Sequence, residues 1–393
     1  MIQTFTPEQL HRIGSLKWSG ITSSTGAPTI GAWVAEMDFG TSPRLEEVMI
    51  SAIRNGLLGY QPKWLAPRLA EATTVFQAQR FGWQIAPEEV RLVESVLSSL
   101  RGVITHFLHP QAPVIVPTPA YMPFLTIPKA LGHPVIEVPS LHGTAAGQRG
   151  WMLDLEGIRA GLEAGAGLMI LCNPWNPVGR VFSVEELTEL HELLAQYEVL
   201  VFSDEIHSPL VLADVPFVSY ASLGADFAAH TVTATAASKG WNIAGLPSAQ
   251  LILPNEGLRE RWDRVGTELQ FGASTIGTLA TIAAYREADP WQDEVRRYID
   301  LNMEAVEQAI ANSPIDFTRP EGGYLSWWGF EGLGLGDNPS AKIRELAGIA
   351  VNEGASLGAD YSQWARFNFA CSHEVTAEII ERMLNLIQGA SLA

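Results

Sequence analysis

Of the five lysines in the chain, Lys17, Lys63, Lys129, Lys239 and Lys342, only Lys239 directly follows a run that reads as a buried strand. It stands in Ala236-Ala-Ser-Lys239-Gly240. A lysine after small residues is ordinarily solvated. One held at the end of a buried strand can lose its proton and attack a carbonyl carbon as a Schiff-base nucleophile. Such chemistry also needs a carboxylate and hydrogen-bond donors for a bound, electron-withdrawing group. Candidates are Asp204 in Ser203-Asp-Glu-Ile-His207, Asn176 in Cys172-Asn-Pro-Trp-Asn-Pro-Val-Gly179, and a turn carrying Ser95, Ser98 and Ser99. Tyr121, in Pro117-Thr-Pro-Ala-Tyr-Met-Pro123, could supply a flat platform. Each has a plainer reading. Asn-Pro pairs form turns, Asp204 could cap a helix, and Tyr121 could pack at a rim.

The elements around these residues decide whether they can meet. Strands are expected at Val90–Val93, Pro113–Val116, Val135–Val138, Leu168–Leu171, Val199–Phe202, Thr231–Thr235 and Ala249–Leu253. Several are apolar throughout rather than alternating, as in parallel strands covered on both faces. Helical patterns lie between them. The clearest is Ser183–Tyr197, where Ser183 and Glu186 form a capping box ahead of a stripe of Leu187, Leu190 and Leu194.

This alternation specifies an α/β fold with a doubly wound, mostly parallel sheet over residues 46–288. After Pro290 a helix, Trp291–Ala311, precedes short strands at Tyr324–Trp328 and Arg366–Phe369 and helices near Ala341–Asn352 and Glu374–Ile387. Residues 289–393 therefore read as a smaller α+β domain, which the N-terminal segment 1–45 joins. In an open α/β sheet ligands bind beyond the carboxyl ends of the strands. Lys239, Asp204, Asn176 and Tyr121 each follow a strand, so they converge on one rim.

Composition narrows the partners. A net charge of −18, spread along the chain, argues against nucleic acid or an anionic membrane surface. The N-terminus lacks a signal-peptide core, and no apolar stretch approaches the roughly 20 residues of a membrane span. The reading is a soluble, cytoplasmic protein. Cys172 and Cys371 read as buried hydrophobes. His106 and His109 share a possible helix face but have no further ligand cluster, so no metal is expected. Gly332-Leu-Gly-Leu-Gly336 lies in a late loop, without the strand–turn–helix context of a dinucleotide site.

Asn173-Pro-Trp-Asn-Pro-Val-Gly179, Ser203-Asp-Glu-Ile-His207 and Ser238-Lys239, in this order, resemble the fold-type-I pyridoxal-phosphate (PLP) enzymes of the aspartate aminotransferase superfamily. The resemblance implies that Lys239 carries PLP as a Schiff base and that Asp204 pairs with the pyridine nitrogen. It also implies that Asn176, with His207 close by, bonds the ring hydroxyl oxygen, and that Tyr121 stacks on the ring. Ser95, Val96, Leu97 and Ser238 would hold the phosphate. Tyr60, in Gly59-Tyr-Gln-Pro62, would reach the phosphate of a neighbouring subunit, which implies a homodimer. Arg366, in Arg-Phe-Asn-Phe-Ala370, matches the arginine that grips the α-carboxylate of an amino-acid substrate. Read without that pattern, it is a polar residue on an alternating strand and would be called exposed.

Trp33-Val-Ala-Glu-Met-Asp-Phe39 is similar to an element of the cystathionine β-lyase and cystalysin-type C–S lyases. Trp33 and Trp241, with the Tyr324–Trp328 strand, become candidate substrate contacts. The chain departs from the pattern at Glu36, where Asp is usual, and at Pro209, where an acidic residue is common. Glu94-Ser-Val-Leu-Ser98 replaces a Gly-Val-Val-Pro turn, and Pro247 stands where a cation usually meets the phosphate. The resemblance implies β-elimination of a thiol from a cysteine-derived amino acid. Transamination would use the same residues. A third alternative is a PLP-binding protein that regulates through a protein partner.

Overall fold

The computed structural model describes residues 2–22, 28–143, 150–212, 215–287 and 290–390. The boundary expected between residues 288 and 289 lies outside them. Uninterrupted apolar runs become strands covered on both faces: Val114–Thr118 and Thr231–Thr235 are buried at every position.

The main sheet has seven strands: β1 (Val90–Val93), β2 (Val114–Thr118), β3 (Val135–Pro139), β4 (Leu168–Cys172), β5 (Leu200–Asp204), β6 (Thr231–Thr235) and β7 (Ala249–Ile252). Their order is β1-β7-β6-β5-β4-β2-β3. Only β7 runs against its neighbours, which gives the doubly wound, mostly parallel sheet the sequence implied. Helices between the strands cover it. The helix Val184–Leu194 begins with the expected capping box, Ser183 and Glu186 each bonding the other's backbone N–H.

A second sheet is antiparallel, with strands β8 (Asp316–Phe317), β9 (Leu325–Gly329), β10 (Asn352–Glu353) and β11 (Trp364–Asn368) in the order β8-β9-β11-β10. The long helices Pro290–Ile310 and His373–Ala390 pack beside it. Ile30–Gly31 pairs in parallel with Ile349–Ala350.

That pairing corrects one expectation. The helix expected near Ala341–Asn352 is shorter and stops at Ala347. Pro339–Lys342 make a single turn, Ile343–Ala347 widen into a π turn, and Gly348 leaves the helix at φ 64°. Ile349 and Ala350 are then taken by the N-terminal strand, and Asn352 by β11. A second correction concerns His109. The helix of His106 ends at Phe107, and Leu108 is extended, so the two histidines share no helix face. No group of three His, Cys, Asp or Glu side chains among the described residues could hold a metal ion. No described helix is long and apolar enough to cross a membrane.

Between the sheets runs Trp33–Phe39, an irregular segment anchored by a buried ion pair. Lys17 Nζ lies 2.8 Å from Asp38 Oδ2, both side chains sealed from solvent, and Trp18 Nε1 donates to Asp38 Oδ1 at 2.7 Å. Burial pushes the Asp38 carboxyl upward while Lys17 pulls it down. Breaking such a pair strands one charge in a medium that cannot solvate it. Lys17→Met is therefore expected to lower the unfolding free energy by about 3 kcal/mol. The measure is a lower urea midpoint at unchanged slope. A loss under about 1 kcal/mol would show that the pair does not hold the segment.

Candidate active site

A cavity of about 400 Å³ opens where the carboxyl ends of the main strands face the second sheet. The strand-end rule delivers most of its lining. The head of the helix Val96–Phe107 follows β1 and brings Ser95, Val96 and Leu97; Tyr121 follows β2 and Asn176 follows β4. Asp204 ends β5 with His207 just beyond, and Ser238 and Lys239 sit in the turn after β6. Trp33 and Arg366 close the cavity from the other side. A wider groove of about 720 Å³, lined by Lys342, Arg382 and Asn385, lies elsewhere and brings no such set together.

Tyr60 is not part of this lining. It is fully exposed, beside the equally prominent Phe271 on a separate depression. Trp241 turns away into the core, edge-on to Phe76 and Tyr285.

Burial pushes each ionisable group toward neutrality. Lys239 is drawn down to about 8, first by loss of solvent and then by Arg366. Its Nζ donates to the Ala35 carbonyl at 2.7 Å. Asp204 is raised to about 7 by burial, even though it accepts the Ile206 N–H at 3.1 Å. His207 falls to about 3 through burial and the two neighbouring cations, so it is neutral. Behind Asp204, burial raises Glu205 to about 7; Ser203, Ser219 and the Tyr220 N–H bond one of its oxygens.

Arg366, expected on sequence pattern alone to be exposed, is 2% exposed. Its neighbours on β9, β10 and β11 hold it inward. One Nη donates to Asn176 Oδ1 at 2.9 Å, and the other to the Trp33 carbonyl at 3.0 Å and to Asn352 Oδ1. Every one of these partners is a neutral oxygen. Nε is buried without a partner, and burial draws the group down to about 10. A guanidinium so placed is completed by a carboxylate.

Two contacts of this site carry no signal of their own in the sequence, although the Tyr324–Trp328 strand is among its candidates. Asn352 falls inside the expected helix. Tyr324 is one of several aromatics on its strand, yet its hydroxyl donates at 2.9 Å to the same Ala35 carbonyl that holds Lys239. No periodicity signals either contact. With Lys239 drawn down to about 8, its acylation in the cofactor-free protein, followed by mass spectrometry, should rise through about that pH. A midpoint near 10.4, roughly that of an exposed lysine, would contradict this.

Residues 33–383 match the family described as "Aminotransferase class I and II". The chain is 33% identical to cystathionine beta-lyase of Corynebacterium glutamicum, covering 97% of this chain and 98% of that one. It is 30% identical to cystathionine beta-lyase PatB of Bacillus subtilis, over 91% and 92% of the two chains. Its fold matches the crystal structure of cystalysin from Treponema denticola, which contains PLP, at a TM-score of 0.88, with 26% identity and 99% of both chains covered. The cavity fits that cofactor. It offers a depressed lysine, a buried carboxylate, and the Val96 and Leu97 N–H groups of a first helical turn, which lack helical partners and suit a phosphate. The chain thus belongs to the class I and II aminotransferase family of fold-type-I enzymes, whose cofactor is pyridoxal 5′-phosphate.

Proposed function

We propose that the protein is a C–S β-lyase of the cystathionine β-lyase type, which releases a thiol from a cysteine-derived amino acid and yields pyruvate and ammonia. The observation that carries this reading is the use made of Trp33–Phe39, the element similar to the C–S lyases. Its Ala35 carbonyl receives Lys239 and its Trp33 carbonyl receives Arg366. Similarity to named cystathionine beta-lyases along nearly the whole chain supports it.

Lys239, Asp204, Asn176, Tyr121, His207 and the Ser95–Leu97 turn with Ser238 would hold PLP. When bound, PLP supplies an electron sink for charge developing at the substrate α-carbon. The chain's own groups do the rest. Arg366 takes the α-carboxylate and fixes the α-carbon near Lys239. The free Lys239 amine, drawn down to about 8, is the base that removes the α-proton. Asp204, at the cavity floor, holds the ring nitrogen. Asn176 has its amide oxygen on Arg366, which leaves its NH₂ to donate to the ring oxygen. The sulfur leaves from the β-carbon with its electron pair and takes the proton that Lys239 removed from the α-carbon. The released enamine hydrolyses in water.

The same reading includes a homodimer, consistent with the exposure of Tyr60 and Phe271, and a cytoplasmic setting, consistent with two unpaired cysteines.

Incubation with cystathionine or an S-alkyl cysteine, without an added oxo acid, is expected to yield thiol and pyruvate in equal amounts. Amino transfer to a supplied oxo acid with no pyruvate would make the protein an aminotransferase. Inertness toward a broad amino-acid panel would favour a regulatory role through a protein partner. Lys239→Ala should lower turnover by about 10³-fold or more. Arg366→Lys, which keeps the charge but loses the fork, should raise KM about tenfold with a smaller change in kcat.

A further inference from the structure

The turn between β1 and the helix Val96–Phe107, Glu94-Ser-Val-Leu-Ser98, places a carboxylate beside the residues that face the cofactor phosphate. Its hydroxyl protons can be counted. Ser98 Oγ donates its single proton to Glu94 Oε2 at 2.6 Å. Ser95 Oγ lies 2.9 Å from Ser98 Oγ. With the Ser98 proton already committed, Ser95 must be the donor of that bond. Ser95 Oγ also accepts the Ser98 N–H at 3.0 Å. Both hydroxyl protons therefore run toward Glu94, and neither runs toward the cavity.

A phosphate monoester near neutral pH carries close to two charges and presents only acceptors. The groups that remain for it here are the Val96 and Leu97 N–H groups and the Ser238 hydroxyl. Among the described residues the cavity's only Lys or Arg side chains are Lys239 and Arg366, and Arg366 is engaged with Trp33, Asn176 and Asn352. The Glu94 N–H donates to the Leu269 carbonyl at 3.0 Å, and its carboxylate lies against Gly272, in space that a Cβ there would take.

We infer that Glu94, acting through Ser98, draws the Ser95 hydroxyl proton away from the cofactor phosphate, so that this chain holds PLP exchangeably rather than permanently. The competition has two parts. Binding a phosphate must turn a hydroxyl proton away from Glu94, and it brings like charges together at the head of one helix. This inference rests on the cofactor, which the family establishes, and not on which reaction the enzyme performs.

The test is a binding measurement on the cofactor-free protein, titrated with PLP by quenching of tryptophan fluorescence. Loss of PLP from the holoenzyme into a trapping apo-protein gives the off-rate. Glu94→Gln removes the charge at constant size and is expected to tighten PLP about tenfold, the worth of one hydrogen bond to a charged group. Glu94→Asp keeps the charge and should not tighten it. Inorganic phosphate as a competing probe should gain by the same factor in Glu94→Gln, which places the effect at the phosphate end rather than at Lys239. Ser98→Ala should leave PLP affinity within about twofold, because that hydroxyl serves Glu94. Unchanged or weaker PLP binding in Glu94→Gln, with or without a lower melting temperature, overturns the inference and makes the carboxylate a support of the cup. A tenfold loss in Ser98→Ala also overturns it, by showing that the hydroxyl serves the phosphate.

Discussion

An irregular segment crossing a protein interior carries peptide groups that neither helix nor sheet satisfies, and each one left unpaired costs about 1–3 kcal/mol. Trp33–Phe39 is such a segment, and much of the site exists in the form it does because of how its carbonyls are satisfied. From the second sheet, Arg366 bonds Trp33, and Asn368 bonds Val34 and Glu36. From the main sheet, Lys239 bonds Ala35, and Asn242 bonds Met37 at 3.2 Å and Phe39 at 2.8 Å. Asn242 adopts φ 56°, a left-handed conformation that asparagine tolerates better than most residues, and its Oδ1 takes the Met37 N–H in return. The two sheets are thereby joined through one strip of backbone. Lys239 and Arg366, which line the cavity, are also two of the side chains that make the join.

Electrostatics follows from the same burial. Lys239 and Arg366 are drawn down to about 8 and 10, and Asp204 is raised to about 7, with desolvation first among the causes in each case. Unpartnered charge is resisted by such a cavity. A ligand set with a carboxylate for Arg366 and a protonated ring nitrogen for Asp204 restores the charged form of each group. His207 stands between the two cations and stays neutral because adding a third positive charge there is unfavourable. It can serve as a hydrogen-bond partner but not as a charge.

The same contacts separate the residues legible in the chain from those that are not. Lys239, Asp204, Asn176 and Tyr121 are legible because each follows a strand, and strand ends of a parallel sheet share a rim. Arg366 is legible only through the family's pattern, since an arginine on an alternating strand gives no sign of facing inward. Asn352, Asn242 and Asn368 are not legible as site-building residues. Asn242 and Asn368 answer the hydrogen-bonding needs of a segment with no period, Asn352 holds Arg366, and period is the signal that a sequence offers. The same blindness carries the helix expected at 341–352 too far, past Ala347. Its residues have the composition of a helix, but Gly348 breaks the backbone, and the strand at residues 30–31 claims Ile349 and Ala350. Lys17 gives no sign of its role because lysines are seldom fully buried, and its partner Asp38 lies 21 residues away.

The two ends of the cavity are built on opposite principles. At the substrate end Arg366 is surrounded by neutral oxygens alone, a guanidinium with no carboxylate of its own, so an incoming carboxylate has no internal rival. At the phosphate end the rival is already in place, since Glu94 receives the serine protons that a phosphate could use. Backbone N–H groups at a helix head can hold an anion without a cation, because they are oriented before it arrives. They leave less margin, however, than a site with a dedicated arginine. An acidic chain with net charge −18 adds nothing at long range to help. On the proposed assignment, cofactor retention would rest on the Lys239 bond, the Asp204 contact and a few amides at the head of one helix.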